Sequence, residues 1–274
     1  MIEYPSKYLS FKDTLNCGQV FRFREHERGY LVFSGDKCAY CYEDGDTSYI
    51  DGEDYFFDYF DLSRDYKKIV DAARSFGFEK LSTAAERHSG LRILRQNGFE
   101  AIISFIISQN NNIPRIKGII ERLSERYGEK RSFKGIDYYA FPTPEALSRA
   151  DLTDLKSLGL GYRDEYVSVA AKAICNKELD LDRLSRSSTA ELKKALLAIK
   201  GVGAKVADCA IFFGFNRTDS FPVDTWIEKL YHEDFGGKLT DRKKISEYFL
   251  DLFKENSGYV QQYLFYAKRE GELK

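Results

Sequence analysis

Hydrophobic positions along the chain fall into two regimes. From Tyr8 to about Ile50 they alternate with polar ones. Phe21 and Phe23 are separated by Arg22, and Tyr30–Phe33, Cys38–Tyr42 and Thr47–Ile50 are divided by Ser34-Gly-Asp and Asp44-Gly-Asp turns. Such a pattern predicts short antiparallel strands with one covered face. Tyr59-Phe-Asp-Leu62 followed by Ser63–Phe78 predicts a capped helix. From Leu91 the period changes to that of a helix: Leu91, Leu94, Phe99, Ile102, Ile103, Ile106 and Ile107 form one apolar stripe. It ends at Gln109-Asn-Asn-Asn112, and Pro114 favours a restart that carries Ile116, Ile119, Ile120, Leu123 and Tyr127. Further helices are predicted around Leu155, to about Ile174, over Ser188–Ile199, from near Ala204, from near Thr225, over Arg242–Phe253 and over Gly258–Lys268.

The two regimes imply an α+β protein. An N-terminal antiparallel sheet domain with a flanking helix is expected over residues 1–86, and a larger helical domain over 87–274. No Pro/Gly-rich linker separates them, so packed domains are expected. Within the second, Ser188–Ile199, the break Lys200-Gly-Val-Gly203 and the helix from Ala204 form a helix–hairpin–helix, about 188–215, in which both glycines are expected to take positive φ.

Composition adds bounds. With 274 residues the chain can bury a sizeable core. Forty-two basic against 43 acidic residues give a net charge of −1, so any nucleic-acid contact must come from local charge and backbone amides. No apolar run is long enough to span a bilayer, and the start Met-Ile-Glu-Tyr-Pro lacks a signal pattern, so an intracellular protein with no membrane partner is expected. The five cysteines (Cys17, Cys38, Cys41, Cys175 and Cys209) are odd in number and scattered, which suits reduced thiols. Cys38-x-x-Cys41 has no second pair and the histidines are isolated, so neither metal nor cofactor is expected.

Candidate chemistry concentrates at the hairpin. The amides of Gly201, Val202 and Gly203 at a helix start suit a phosphate oxygen, although a bare Gly-x-Gly is most often a turn between core helices. Lys205 lies in the first turn, where the helix dipole and partial burial beside Val202 and Val206 favour the neutral, nucleophilic amine. Cys209 is four residues on and shares its face. Asp224, nineteen residues after Lys205, heads the helix from Thr225 and is an N-cap in its simplest reading.

The run from Leu196 to Asp224 resembles the helix–hairpin–helix/Gly-Pro-Asp motif of DNA base-excision glycosylases, and Gly201-Val-Gly-Ala-Lys-Val-Ala-Asp-Cys209 is similar to the 8-oxoguanine DNA glycosylases. Lys200 stands where that family usually has proline. The resemblance implies Lys205 and Asp224 as catalytic residues. It implies Gly18, in Asn16-Cys-Gly-Gln-Val-Phe-Arg-Phe23, as the carbonyl that reads the damaged base. Cys209 and Phe265 would sandwich the extruded base, and Gln261, on the same helix face as Phe265, would bind its Watson–Crick edge. Ser108–Arg115 resembles the loop that enters the duplex, with Asn110 and Arg115 against the opposite base; Tyr162 and Arg163 resemble the wedge that fills the vacated space. A phosphate-binding histidine often follows the family aspartate by two residues, but Trp226 is there, so that contact is not implied.

The implied function is bifunctional removal of 8-oxoguanine and related oxidised purines from double-stranded DNA by a monomer, with cytosine preferred opposite the lesion and an intracellular, DNA-associated location. Two rivals remain from sequence: a monofunctional glycosylase acting on alkylated bases through water, and a non-catalytic helix–hairpin–helix DNA-binding protein. Neither needs an amine at 205.

Overall fold

The computed structural model describes residues 1–273. The chain runs β1 (Ile2–Pro5), α1 (Phe11–Asn16), β2 (Phe23–His26), β3 (Gly29–Ser34), β4 (Lys37–Asp44), β5 (Thr47–Asp51), α2 (Tyr55–Tyr59), α3 (Tyr66–Ser75), α4 (Glu79–Arg87), α5 (Gly98–Ser108) and α6 (Ile113–Tyr127). It continues β6 (Lys130–Phe133), β7 (Ile136–Tyr139), α7 (Pro144–Ser148), α8 (Leu152–Leu155), α9 (Arg163–Cys175), α10 (Leu181–Ser185), α11 (Thr189–Leu197), α12 (Ala204–Cys209), α13 (Thr225–Glu233), α14 (Arg242–Phe253) and α15 (Ser257–Arg269).

The expected α+β architecture is observed. The first five strands form one antiparallel sheet in the order β1-β5-β4-β3-β2. Its alternation buries Val32, Ala39, Cys41 and Ile50 against Phe11, Leu15, Phe56 and Phe60. The larger core is helical and centred on α5, where every residue from Phe99 to Ile107 is buried. A helix apolar on all sides is stable only when surrounded. Tyr66, Ile69 and Leu81 of α3 and α4 join that same core.

Several sequence expectations need correction. The first strand lies before Tyr8, at Ile2–Pro5, and Phe11–Asn16 is helical because Ser10 Oγ accepts from the Asp13 amide at 3.3 Å. Gly18 therefore does not begin a strand; it sits in the turn after α1 with φ +87°. The helix expected from Ser63 starts at Tyr66, where Asp65 caps the amides of Lys67 and Lys68. Leu91 and Leu94 imitate a helical stripe, but residues 91–97 form no helix. Side chains satisfy the backbone there: the amides of Arg92, Ile93 and Leu94 donate to Thr14 Oγ1, Tyr66 Oη and Gln19 Oε1 at 3.0, 2.8 and 2.9 Å. The helix begins only where Asn97 caps it. Unforeseen was the hairpin β6–β7, which turns at Lys134 and Gly135, both with positive φ.

A buried cation joins the sheet to the helical body. Arg92 is fully buried, donating to the carbonyls of Tyr8 (2.7 Å) and Asp61 (2.5 Å), with its guanidinium 4.6 and 4.2 Å from the rings of Tyr4 and Tyr66. Because α1 and the turn after it pack on this junction, Gly18 is held against the C-terminal helix.

Candidate active site

Helix α11, capped by Ser188, leads into the hairpin, and Gly203 caps α12. Only one of the two glycines adopts positive φ. Gly201 has φ +90°, and a Cβ there would lie 2.1 Å from Tyr166 Cγ. Gly203 has φ −85° and open space around it, because an N-cap is extended. The start of α12 is exposed at Gly203 and Ala204. Of the three amides expected to meet a phosphate, however, that of Val202 already donates to the Ile199 carbonyl at 3.0 Å because it closes the hairpin turn.

Lys205 is half-buried in the first turn of α12, with Nζ 5.5 Å from the centre of the Phe105 ring. Phe105 in turn stacks on Phe213 at 5.4 Å. Cys209 is buried; burial pushes its thiol up to about 11, against the opposing pull of Lys205, while the charges of Asp208 and Asp224 add to the rise. The charges of Lys205 and Asp224 thus both act on this thiol. Beyond Cys209 the helix widens into a five-residue π-type turn, Ala210–Gly214. Wide turns of this kind are frequent at functional sites. Asp224 caps α13, and its Oδ1 accepts from the amides of Trp226 and Ile227 at 3.0 Å each.

The opposite wall comes from α15. Gly258 lets this helix close on the wide turn: a Cβ there would meet Phe212 at 2.5 Å. Gln261 is buried, its Nε2 donating to the Pro222 carbonyl at 3.4 Å, while its Oε1 has no partner among the described residues. Phe265 is half-buried against Gly18, where a Cβ would be 3.5 Å from its ring. Gln262 donates to the Cys17 carbonyl at 2.8 Å and pins the turn that carries Gly18. Residues from both halves of the sequence therefore converge on α12, α13 and α15.

A second group adjoins the hairpin. Asn110 is exposed with φ +47°, and Asn112 caps α6, leaving the side chain of Arg115 exposed with one long bond, 3.5 Å, to the Gly159 carbonyl. Tyr162 stands out from the start of α9, 53% exposed. Arg163, implied with it as the wedge, is instead buried, donating to the carbonyls of Gln109, Asn110 (3.0 Å) and Leu160 (3.2 Å). Local sequence could not show this, because two of its three acceptors belong to a loop more than fifty residues away.

Two residues that sequence reasoning missed hold these parts together. Gln109 Nε2 donates to the Gly201 carbonyl at 2.9 Å, joining the Asn-rich loop to the hairpin. Arg269 Nη2 donates to the Asn16 carbonyl at 2.5 Å and fixes the turn that presents Gly18. The helical spacing of 261, 265 and 269 was the one signal available for Arg269.

Residues 103–255 match the family described as HhH-GPD superfamily base excision DNA repair protein, and residues 1–102 match the 8-oxoguanine DNA glycosylase N-terminal domain. A probable N-glycosylase/DNA lyase of Methanothermobacter thermautotrophicus is 31% identical over 242 residues, covering 80% of this chain and 75% of the relative. The N-glycosylase/DNA lyase of Saccharomyces cerevisiae is 34% identical over 170 residues, 58% of this chain, and the match spans only 44% of that protein. The structure of the Clostridium acetobutylicum 8-oxoguanine glycosylase/lyase, in complex with dsDNA containing cytosine opposite to 8-oxoG, superposes with a TM-score of 0.91 at 34% identity, covering 97% of this chain and 93% of that one.

Proposed function

The chain belongs to the HhH-GPD superfamily of base excision DNA repair proteins, and we propose that it excises 8-oxoguanine from duplex DNA as a bifunctional glycosylase and AP lyase, with Lys205 as nucleophile. The observation that carries this reading is the convergence of Lys205, Cys209 and Asp224 opposite a wall made by Gly18, Gln261 and Phe265.

In this reading residues 1–86 present Gly18 and residues 87–274 carry the nucleophile and the DNA-gripping hairpin. Amides at Gly201 and Gly203 hold a backbone phosphate, that of Val202 being engaged by the Ile199 carbonyl. Tyr162 fills the space vacated by the flipped nucleotide, while Asn110 and Arg115 meet the opposite base and favour cytosine, whose acceptors suit a guanidinium fork. Arg163 acts as a clamp, holding the carbonyls of the Asn-rich loop so that Asn110 projects. The base enters by displacing Phe265 from Gly18, then lies between Cys209 and Phe265 with Gln261 on its Watson–Crick edge. The Gly18 carbonyl accepts the N7 proton that 8-oxoguanine carries; guanine offers an acceptor at N7 and is repelled.

Chemistry follows from the amine. The free lone pair of Lys205 bonds to C1′ as the bond from C1′ to the base breaks, and Asp224 stabilises the positive charge that develops on the sugar. The departing base takes the bonding pair and the proton released by the new C1′ ammonium. Opening of the C1′–O4′ bond then gives a Schiff base, and transfer of a C2′ proton to water expels the 3′ phosphate, nicking the strand. The enzyme works as a monomer at damaged DNA inside the cell; among the described residues no helix is long and apolar enough to cross a membrane.

Borohydride trapping on a labelled duplex with 8-oxoguanine opposite cytosine tests the assignment. The wild type should form a covalent adduct that Lys205→Gln abolishes while damaged-DNA binding persists. Base release retained by the variant would mean a water-using glycosylase instead.

A further inference from the structure

Residues 261, 265 and 269 of α15 lie four apart and share one face. The two outer members each carry a buried polar atom without a partner among the described residues: Oε1 of Gln261 and Nη1 of Arg269. Phe265 lies between them. Two turns of helix separate the outer pair by about 12 Å. A purine laid on Phe265 with its Watson–Crick edge toward Gln261 turns its imidazole edge toward Arg269.

Arg269 is also on the Gly18 side of the pocket. Its Nη1 is 3.1 Å from the point where a Gly18 Cβ would stand. The rest of the guanidinium is engaged: Nη2 donates to the Asn16 carbonyl at 2.5 Å, Nε and Nη2 donate to Glu270 at 3.1 and 3.0 Å, and the plane rests 5.6 and 5.2 Å from the rings of Phe265 and Tyr266. A guanidinium held this firmly with both N–H bonds of a buried Nη1 left over is costly unless an acceptor arrives there.

8-oxoguanine brings such an acceptor. Oxidation changes two adjacent points on the imidazole edge, adding a proton at N7 and an oxygen at C8. The Gly18 carbonyl matches the first and leaves the second without a donor. We propose that Arg269 is a specificity-determining residue whose Nη1 donates a hydrogen bond to the C8 oxygen of the oxidised purine. Guanine carries only C–H at C8 and gains nothing from this contact. The inference rests on the base pocket proposed above, and not on the identity of the nucleophile.

The test compares wild type, Arg269→Gln and Arg269→Lys in single turnover on three duplexes: 8-oxoguanine, 8-thioguanine and a preformed abasic site, each opposite cytosine. The thio base keeps the N7 proton and replaces the oxygen with a weak acceptor. Losing a charged donor should slow 8-oxoguanine excision about 10- to 100-fold in Arg269→Gln; the thio base, which feels only the loosened Gly18 turn, should slow clearly less. Nicking of the abasic site should stay within about twofold, which shows the variant is folded, and Arg269→Lys should recover part of the loss. Equal slowing on the oxo and thio bases, or no slowing on either, overturns the contact. Excision by the wild type without abasic nicking would instead overturn the role of Lys205 and leave the Arg269 comparison intact.

Discussion

The N-cap at Asp224 uses only one of its two carboxylate oxygens. Oδ1 caps α13 through two amides, and the cap orients the second oxygen without using it. Asp224→Asn keeps a capping oxygen and removes the charge. It should leave stability within about 0.5 kcal/mol and slow base release by about 100-fold or more, as thermal melts and single-turnover assays would show. Asp224→Ala loses the cap as well and should cost about 1 kcal/mol further. The cap and the 261–265 pair were legible in sequence because each depends on residues within four positions. Arg163 and Arg269 were not, since each reaches carbonyls far along the chain. A surface arginine and one that props up a distant turn look alike in sequence.

At the level of elements, the hairpin depends on contact with a neighbouring helix. Gly201 fits under Tyr166 of α9 only because it lacks a Cβ and tolerates φ +90°. Gly201→Ala should therefore destabilise the fold by roughly 2 kcal/mol or more and weaken binding to undamaged duplex, whereas Gly203→Ala, in open space at ordinary φ, should fold within about 1 kcal/mol of wild type. Urea unfolding together with a duplex-binding titration separates the two. Elements marked by caps, such as α11 after Ser188 and α6 after Asn112, were readable in advance. The non-helical run 91–97 was not, because its apolar spacing imitates a helix while the amides of residues 92–94 are taken by side chains from elsewhere.

Across the whole molecule, His88 ties three distant segments. After α4, its Nδ1 meets Asp13 of α1 at 2.9 Å and its Nε2 meets Glu272, beyond α15, at 2.8 Å, with the Tyr266 ring 4.7 Å away and Arg87 3.3 Å from the same glutamate. Burial opposes charging the ring, but the bonds and charges of Asp13 and Glu272 outweigh it, so the His88 pKa is raised. A raised folded-state value means the stabilisation is full below about pH 6.5, the ordinary histidine value, and is lost as pH climbs through the folded one. Melting curves should show the wild type losing its margin over His88→Gln as pH rises from 6 to 8; an unchanged margin would count against the tie. Because Asp13 belongs to the helix that precedes Gly18, the same bond steadies the turn that carries Gly18.

The buried thiols also bear on the conditions under which the protein must work. Cys209 is held up to about 11, and burial pushes Cys17 and Cys38 up to about 12. At neutral pH only roughly one Cys209 in ten thousand is then a thiolate, the form that hydrogen peroxide attacks. Oxidised purines arise when such oxidants are abundant. The sulfur against which the lesion would rest is thus kept in its slow-reacting form, and the pocket can outlast the exposure that creates its substrate.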